Sequence, residues 1–336
     1  MVGLNAEGAS AFSTFSRQCA EKGLLQRRNG LTDEDSPDGI TDERTLLRFL
    51  QANQLDPSKA LEQFQQATKF HTENDALRLY DLMSVSDFED TRLLYPHWTG
   101  RCDRYGRPIL MLDVSALGKE ALMHWRETRN MPLKTGSGFP STMVQRALVY
   151  FDHFTRFVLP LCSAVHGASV TNCVYVVDAS SLSMRQAWDV REFAQEISWI
   201  LATCYPETIY RVYACNISGY CSRLWAILKP FVDPVTAAKI RFLQSSESYS
   251  FLKEEIDHAN IPSTIGGGHQ FDTGMRPDLD EEICQALGWT APQTDLPPGP
   301  LKWTQTEEGK KKAVATGTVE GEPRREEIAT LRNPSS

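Results

Sequence analysis

Six consecutive residues, Cys173-Val174-Tyr175-Val176-Val177-Asp178, constrain this chain more than any other feature. The run is apolar up to its closing aspartate and too short for a helix, so it reads as a strand covered on both faces. Behind it, Ala187, Val190, Phe193, Ile197, Ile200 and Leu201 fall on one stripe at helical spacing, and that stripe stops at Tyr205-Pro206-Glu207. A second strand follows over 211–217. Strand, helix and strand in this order imply a parallel pair with a right-handed crossover.

The same alternation extends in both directions. Arg107-Pro108 opens a strand through Ile109 and Leu112, and a helix over 218–228 and a short one after Asp233-Pro234 precede a strand over 240–243. Residues 86–270 therefore read as an α/β domain with a mostly parallel sheet. Residues 1–80 read as a helical lobe. Leu46, Leu47, Phe49 and Leu50 repeat at helical spacing, and Asp56-Pro57 caps a second helix that carries Leu61 and Phe64 and ends near Glu73-Asn74. From 292 to 336 the chain turns polar. Leu296-Pro297-Pro298-Gly299-Pro300 breaks structure, and the charge runs at 310–312 and 320–327 read as solvated, so this stretch is expected to be a mostly disordered tail.

Composition narrows the function. A net charge of -8 opposes general nucleic-acid binding, and any membrane contact would need a local basic or apolar patch. The start of the chain shows no signal-peptide pattern, and no stretch approaches the roughly 18 apolar residues of a membrane span. The eight cysteines are scattered without a C-x-x-C pair, which fits reduced thiols in the cytosol. Nucleotide-binding, nucleophile-elbow and zinc-protease motifs are missing, so neither an enzyme, a metal site nor a cofactor is expected. Gly266-Gly267-Gly268 reads as a flexible turn closing the domain, and His153, in an aromatic helical stretch, as a core or pocket-wall residue. What the sequence has in excess is apolar helix. Residues 220–231 carry Tyr220, Leu224, Trp225, Leu228 and Phe231 over most of a helical circumference, as expected of a helix that is buried or covers something apolar.

Five motifs in order resemble the CRAL-TRIO lipid-binding family, in particular the fungal phosphatidylinositol transfer proteins. They are Thr45-Leu46-Leu47-Arg48-Phe49-Leu50; Asp103-Arg104-Tyr105-Gly106-Arg107-Pro108; Tyr205-Pro206-Glu207; the run from Leu228 to Thr236 with Lys239; and Ile261-Pro262 followed by Ile265-Gly266-Gly267. The resemblance implies a helical lobe joined to a lobe whose sheet floors an apolar lipid pocket, with 216–245 as its gate and 220–231 as the moving helix. It assigns Asp103, Glu207, Thr236 and Lys239 to a phosphoinositide headgroup, and Cys173 and Tyr175 to the pocket wall.

Residue chemistry fits that assignment. Asp233 can cap the short helix whose amides favour an anion, while Thr236 and Lys239, three apart, offer a hydroxyl and an ammonium on one face. Two departures bear on the ligand. The family's basic R-A-R-K is Gln51-Ala52-Asn53-Gln54 here, and Cys173 and Tyr175 replace the hydroxyl pair that holds phosphatidylcholine. The resemblance thus implies a monomeric cytoplasmic carrier that meets membranes peripherally and presents phosphatidylinositol to modifying enzymes. Two alternatives stand beside it. Cys173 and Tyr175 share a strand face, and such groups can ligate haem, so haem or a sterol-like molecule is an alternative ligand. The other alternative is a regulatory module for a protein partner.

Overall fold

The computed structural model describes residues 5–132, 139–217, 219, 221–290 and 295–332. Helices α1 (Ala6–Glu21), α2 (Glu43–Ala52), α3 (Pro57–Glu73), α4 (Ala76–Leu82) and α5 (Val85–Arg92) form the first layer. The Asp56 carboxylate accepts the amides of Ser58 and Lys59 and Pro57 occupies the first turn, so α3 starts where its sequence sets the cap.

Strands β1 (His97–Cys102), β2 (Pro108–Asp113), β3 (Cys173–Asp178), β4 (Ile209–Ile217) and β5 (Ile240–Gln244) make one sheet in the order β1-β2-β3-β4-β5. Only β1 runs antiparallel. Between β2 and β3 lie α6 (Lys119–Thr128), α7 (Met143–His153), a π-helical turn (Phe154–Val158) and α8 (Leu159–His166). Between β3 and β4 the expected single helix is two, α9 (Met184–Asp189) and α10 (Arg191–Cys204). The segment between β4 and β5 holds α11 (Cys221–Leu228), a 3-10 turn (Lys229–Phe231) and α12 (Pro234–Lys239), and α13 (Ser245–Glu255) follows β5.

The period-2 alternation of the strands divides the core. Trp98, Leu110, Tyr175, Val212 and Ile240 are register partners across the sheet and share its inner face, as do Leu112, Val177, Ala214 and Phe242. Trp98, Leu110, Leu112 and Tyr175 of this face join the helical lobe in one continuous core that includes Phe15, Phe49, Phe64 and Phe151. Val174 and Val176 point the other way and pack with Leu252, Ile256, Ile261 and Ile265.

The C-terminal stretch corrects an expectation. After α14 (Glu281–Ala286), strands β6 (Leu301–Gln305), β7 (Lys311–Ala315), β8 (Thr318–Val319), β9 (Glu322–Pro323) and β10 (Glu326–Thr330) follow, and β10, β7 and β6 form a three-stranded sheet. This is no solvated tail. Trp303 is buried, stacks on Phe157 at 5.3 Å and donates its indole N–H to the Phe157 carbonyl. Lys302 is 1% exposed and pairs with Asp35 at 2.6 Å and Asp81 at 2.7 Å. Low hydrophobicity misled because the sheet borrows its core from distant elements, at Tyr80 and Phe157, rather than building one. The proline-rich approach is ordered too: Gly299, at φ +94°, donates its amide to Glu89.

The glycine triplet also differs from its expectation. A Cβ on Gly267 would lie 2.0 Å from the Ile261 carbonyl oxygen, so this residue closes a tight backbone approach and not a flexible turn. His153 is a satisfied core histidine: burial holds its pKa down near 4, and its Nδ1 accepts the Leu301 amide of β6.

Candidate functional site: a headgroup recess beside an apolar floor

The turn after α10 decides where the polar groups go. Tyr205 ends the helix, Pro206 forbids its continuation, and Glu207 adopts a left-handed backbone at φ +55°. A non-glycine residue held there costs about 1 kcal/mol or more, and such outliers cluster at functional sites. Both sides of the turn are pinned. The Thr208 hydroxyl donates to the Tyr205 carbonyl at 2.7 Å, and the Thr208 carbonyl accepts the Cys173 amide at 2.9 Å.

From this turn the Glu207 carboxylate accepts the Lys239 ammonium at 2.9 Å, the side chains being 29% and 21% exposed respectively. Thr236 lines the same recess of about 190 Å³, together with Asp233 and Val235 of the gate segment and Ala52 and Gln63 of the helical lobe. Three of the four expected headgroup residues are therefore brought together from segments about 30 positions apart.

Asp103 is not. Its buried carboxylate takes Arg107 Nε at 2.6 Å and the amides of Tyr105 and Arg107 at 2.9 Å each, which makes it the anchor of the turn into β2. Asp233 caps α12 as its sequence suggests: its carboxylate accepts the Thr236 amide at 2.9 Å and is itself the anion at this helix start.

Gln63 was missed by sequence reasoning. On α3 it looks like an ordinary polar surface residue, yet its Nε2 donates to the Ala202 carbonyl at 2.8 Å and its Oε1 accepts Asn53 Nδ2 at 2.6 Å. Where the resemblance leads to a basic contact, this wall of the recess is a chain of neutral amides.

Cys173 and Tyr175 do share the inner face, as their spacing predicts, and both are buried. Burial pushes the Cys173 thiol and the Tyr175 phenol well above their ordinary values, and the thiol donates to the Thr208 carbonyl. A neutral, hydrogen-bonded thiol and a buried neutral phenol suit a pocket wall and lend no support to iron ligation.

The floor beside the recess loses its cover along one direction. Leu110 and Tyr175 are buried, Val177, Val212 and Ile240 are half-buried, and Phe242 is 37% exposed with the Trp225 ring tilted against it at 5.2 Å. Over this end lies the expected gate. Leu224 points inward and is buried, Trp225, Leu228 and Phe231 are half-buried, and Tyr220 lies outside the described residues. Ser222, Arg223, Ala226 and Lys229 form an exposed face, so α11 is amphipathic rather than apolar all round. Neither the 3-10 turn nor α12 contains a buried residue.

The CRAL/TRIO domain model matches residues 95–267, just over half of the chain. The chain belongs to the CRAL/TRIO domain family. Its relatives include the SEC14 cytosolic factor of Candida glabrata, 28% identical over 75% of this chain and 80% of that protein. Another is the phosphatidylinositol/phosphatidylcholine transfer protein SFH9 of Arabidopsis thaliana, 26% identical over 74% of this chain and 41% of that protein. The crystal structure of Sfh5 superposes with a TM-score of 0.58 at 14% identity, covering 86% of this chain and 98% of that one, a likeness of fold. The floor and the Glu207, Thr236 and Lys239 side of the recess fall inside the matched span of this CRAL/TRIO chain, while Ala52 and Gln63 precede it and the C-terminal sheet lies beyond it. No helix among the described residues is long and apolar enough to cross a membrane.

Proposed function

We propose that this chain is a carrier that binds a phospholipid, phosphatidylinositol, and moves it between membranes or presents it to lipid-modifying enzymes. One observation carries the reading: Glu207, Thr236 and Lys239 gather in a single recess at the edge where β4 and β5 begin, beside an apolar floor the protein leaves partly uncovered. Lys239 supplies an ammonium for the phosphodiester and Thr236 a hydroxyl donor. Glu207 keeps Lys239 in place and accepts inositol hydroxyls. The acyl chains lie along Val177, Val212, Ile240 and Phe242 under α11.

Physical chemistry demands such a cover. Two chains of about 16 carbons cost on the order of 25 kcal/mol to expose to water at about 0.8 kcal/mol per CH₂. Release therefore requires α11 and α12 to move at a bilayer, which the protein meets peripherally, and we read it as a cytoplasmic monomer. With Cys173 and Tyr175 in place of a hydroxyl pair, phosphatidylcholine exchange is weak, and Cys173→Ser with Tyr175→Thr raises it.

Transfer of labelled phosphatidylinositol between vesicles tests the headgroup assignment. Lys239→Ala or Thr236→Asp should lower it sharply without unfolding the protein. Undiminished transfer by Lys239→Ala would overturn the assignment.

A further inference from the structure

Between the two lobes lies a buried polar cluster that the carrier reading leaves without a task. His71, near the end of α3, places Nε2 at 3.1 Å from both Asp152 Oδ1 on α7 and the hydroxyl of Tyr205, and Nδ1 at 2.9 Å from the Ala67 carbonyl. The Tyr205 hydroxyl is 2.7 Å from the same Asp152 oxygen. Proton accounting agrees with a charged pair. The Tyr205 hydroxyl donates to Asp152 and to the Leu148 carbonyl, so with Asp152 ionised both ring nitrogens face acceptors, both donate, and His71 is an imidazolium. The direction of its pKa agrees: burial pulls it down, but the Asp152 carboxylate outweighs that and raises it to about 10. Asp152 is held below the ordinary carboxylate range despite its burial, chiefly by His71.

The position of this cluster is what matters. Gln63, Ala67 and His71 are spaced four apart on one face of α3. Gln63 lines the headgroup recess, and two turns along His71 holds Tyr205, the residue that begins the strained turn. Two residues later stands Glu207, left-handed and bonded to Lys239.

We infer that His71, through Asp152 and Tyr205, is a positioning residue for the headgroup recess: it clamps the Tyr205–Glu207 turn to the helical lobe and so holds Glu207 against Lys239. The inference rests on the headgroup reading for its ligand, but the clamp itself is a property of the turn. Without the imidazolium, the buried Asp152 carboxylate loses its cationic partner, and Tyr205 is held only by Asp152 and the Leu148 carbonyl. The weaker hold lets Glu207 relax out of its left-handed conformation.

The test uses the full chain, with phosphatidylinositol in phosphatidylcholine vesicles as the probe. His71→Gln and Tyr205→Phe are each made alone and combined with Lys239→Ala. Tyr205→Phe removes only a hydroxyl, so it remains informative where His71→Gln folds poorly. Each single change should weaken phosphatidylinositol binding about tenfold, the loss of one hydrogen bond to a charged group, and neither should add to the loss caused by Lys239→Ala. Unchanged binding by both, or losses that multiply with that of Lys239→Ala, would overturn the clamp while leaving the headgroup reading in place. If Lys239→Ala itself binds normally, the headgroup reading fails and the clamp is judged on the turn alone. Faster hydrogen exchange at the Glu207 and Thr208 amides of His71→Gln, with the rest of the chain unchanged, would then support it, and unchanged exchange would overturn it.

Discussion

The C-terminal sheet and the gate segment invert what their compositions suggest. Residues 301–330, rich in lysine, glutamate and threonine, are knitted into the rest of the fold, whereas the stretch from Ser222 to Phe231 is among the less covered parts of the molecule. Burial here follows the availability of partners. The sheet is tied by the Trp303 indole on Phe157, by Lys302 between two aspartates, and by backbone bonds from Ser36 to Trp303 and from Gln305 to Glu34. The gate has Leu224 anchored and little else, and in the proposed function the floor beneath it is covered by the bound lipid.

The contrast can be broken most severely at Lys302. Lys302→Ala leaves Asp35 buried without its cation and should cost about 3–5 kcal/mol in chemical denaturation, whereas Arg223→Ala on the exposed face of α11 should stay within about 0.5 kcal/mol. Comparable losses from the two would erase the distinction. A matched tryptophan pair sharpens it. Trp303→Ala should cost about 3–5 kcal/mol and Trp225→Ala nearer 1 kcal/mol, read from denaturation midpoints of lipid-free protein.

Smaller effects should appear with pH. His153 accepts the Leu301 amide and its folded pKa sits near 4, below the ordinary 6.5, so the unfolded chain binds more protons between those values. Its contribution is complete above about pH 6.5 and is lost as pH falls towards 4. His71 carries the opposite sign: its folded pKa is raised to about 10, so its stabilisation is complete below its unfolded value and is lost as pH rises through 10. Mild acid should therefore loosen the C-terminal sheet before the lobe interface, as amide exchange of Leu301 against that of α3 would reveal. The reverse order would contradict the assignment of these two histidines.

Much of the fold was legible because local signals and global structure agree. The six residues of β3, the Asp56-Pro57 cap and the helix stop at Tyr205-Pro206 follow from periodicity and capping alone. The site was legible in part. The ordered motifs pointed to Glu207, Thr236 and Lys239, but Asp103 carries the same motif signal while serving its own turn, and only the bonding pattern separates the two roles. Gln63 and His71 were not legible, since their tasks arise from which face of α3 meets the end of α10. The C-terminal sheet escaped notice for a similar reason: its strands are short, and their apolar partners lie more than 140 residues away at Phe157 and more than 200 away at Tyr80.

Native mass spectrometry of the purified protein, with identification of the lipid it releases, bears most directly on the claim that this fold is a gated phosphatidylinositol carrier. The unmodified protein should retain one phospholipid with a phosphatidylinositol headgroup, and Lys239→Ala should be depleted of it while still folded. A protein that carries no phospholipid, or whose phosphatidylinositol occupancy is indifferent to Lys239→Ala, would contradict the account.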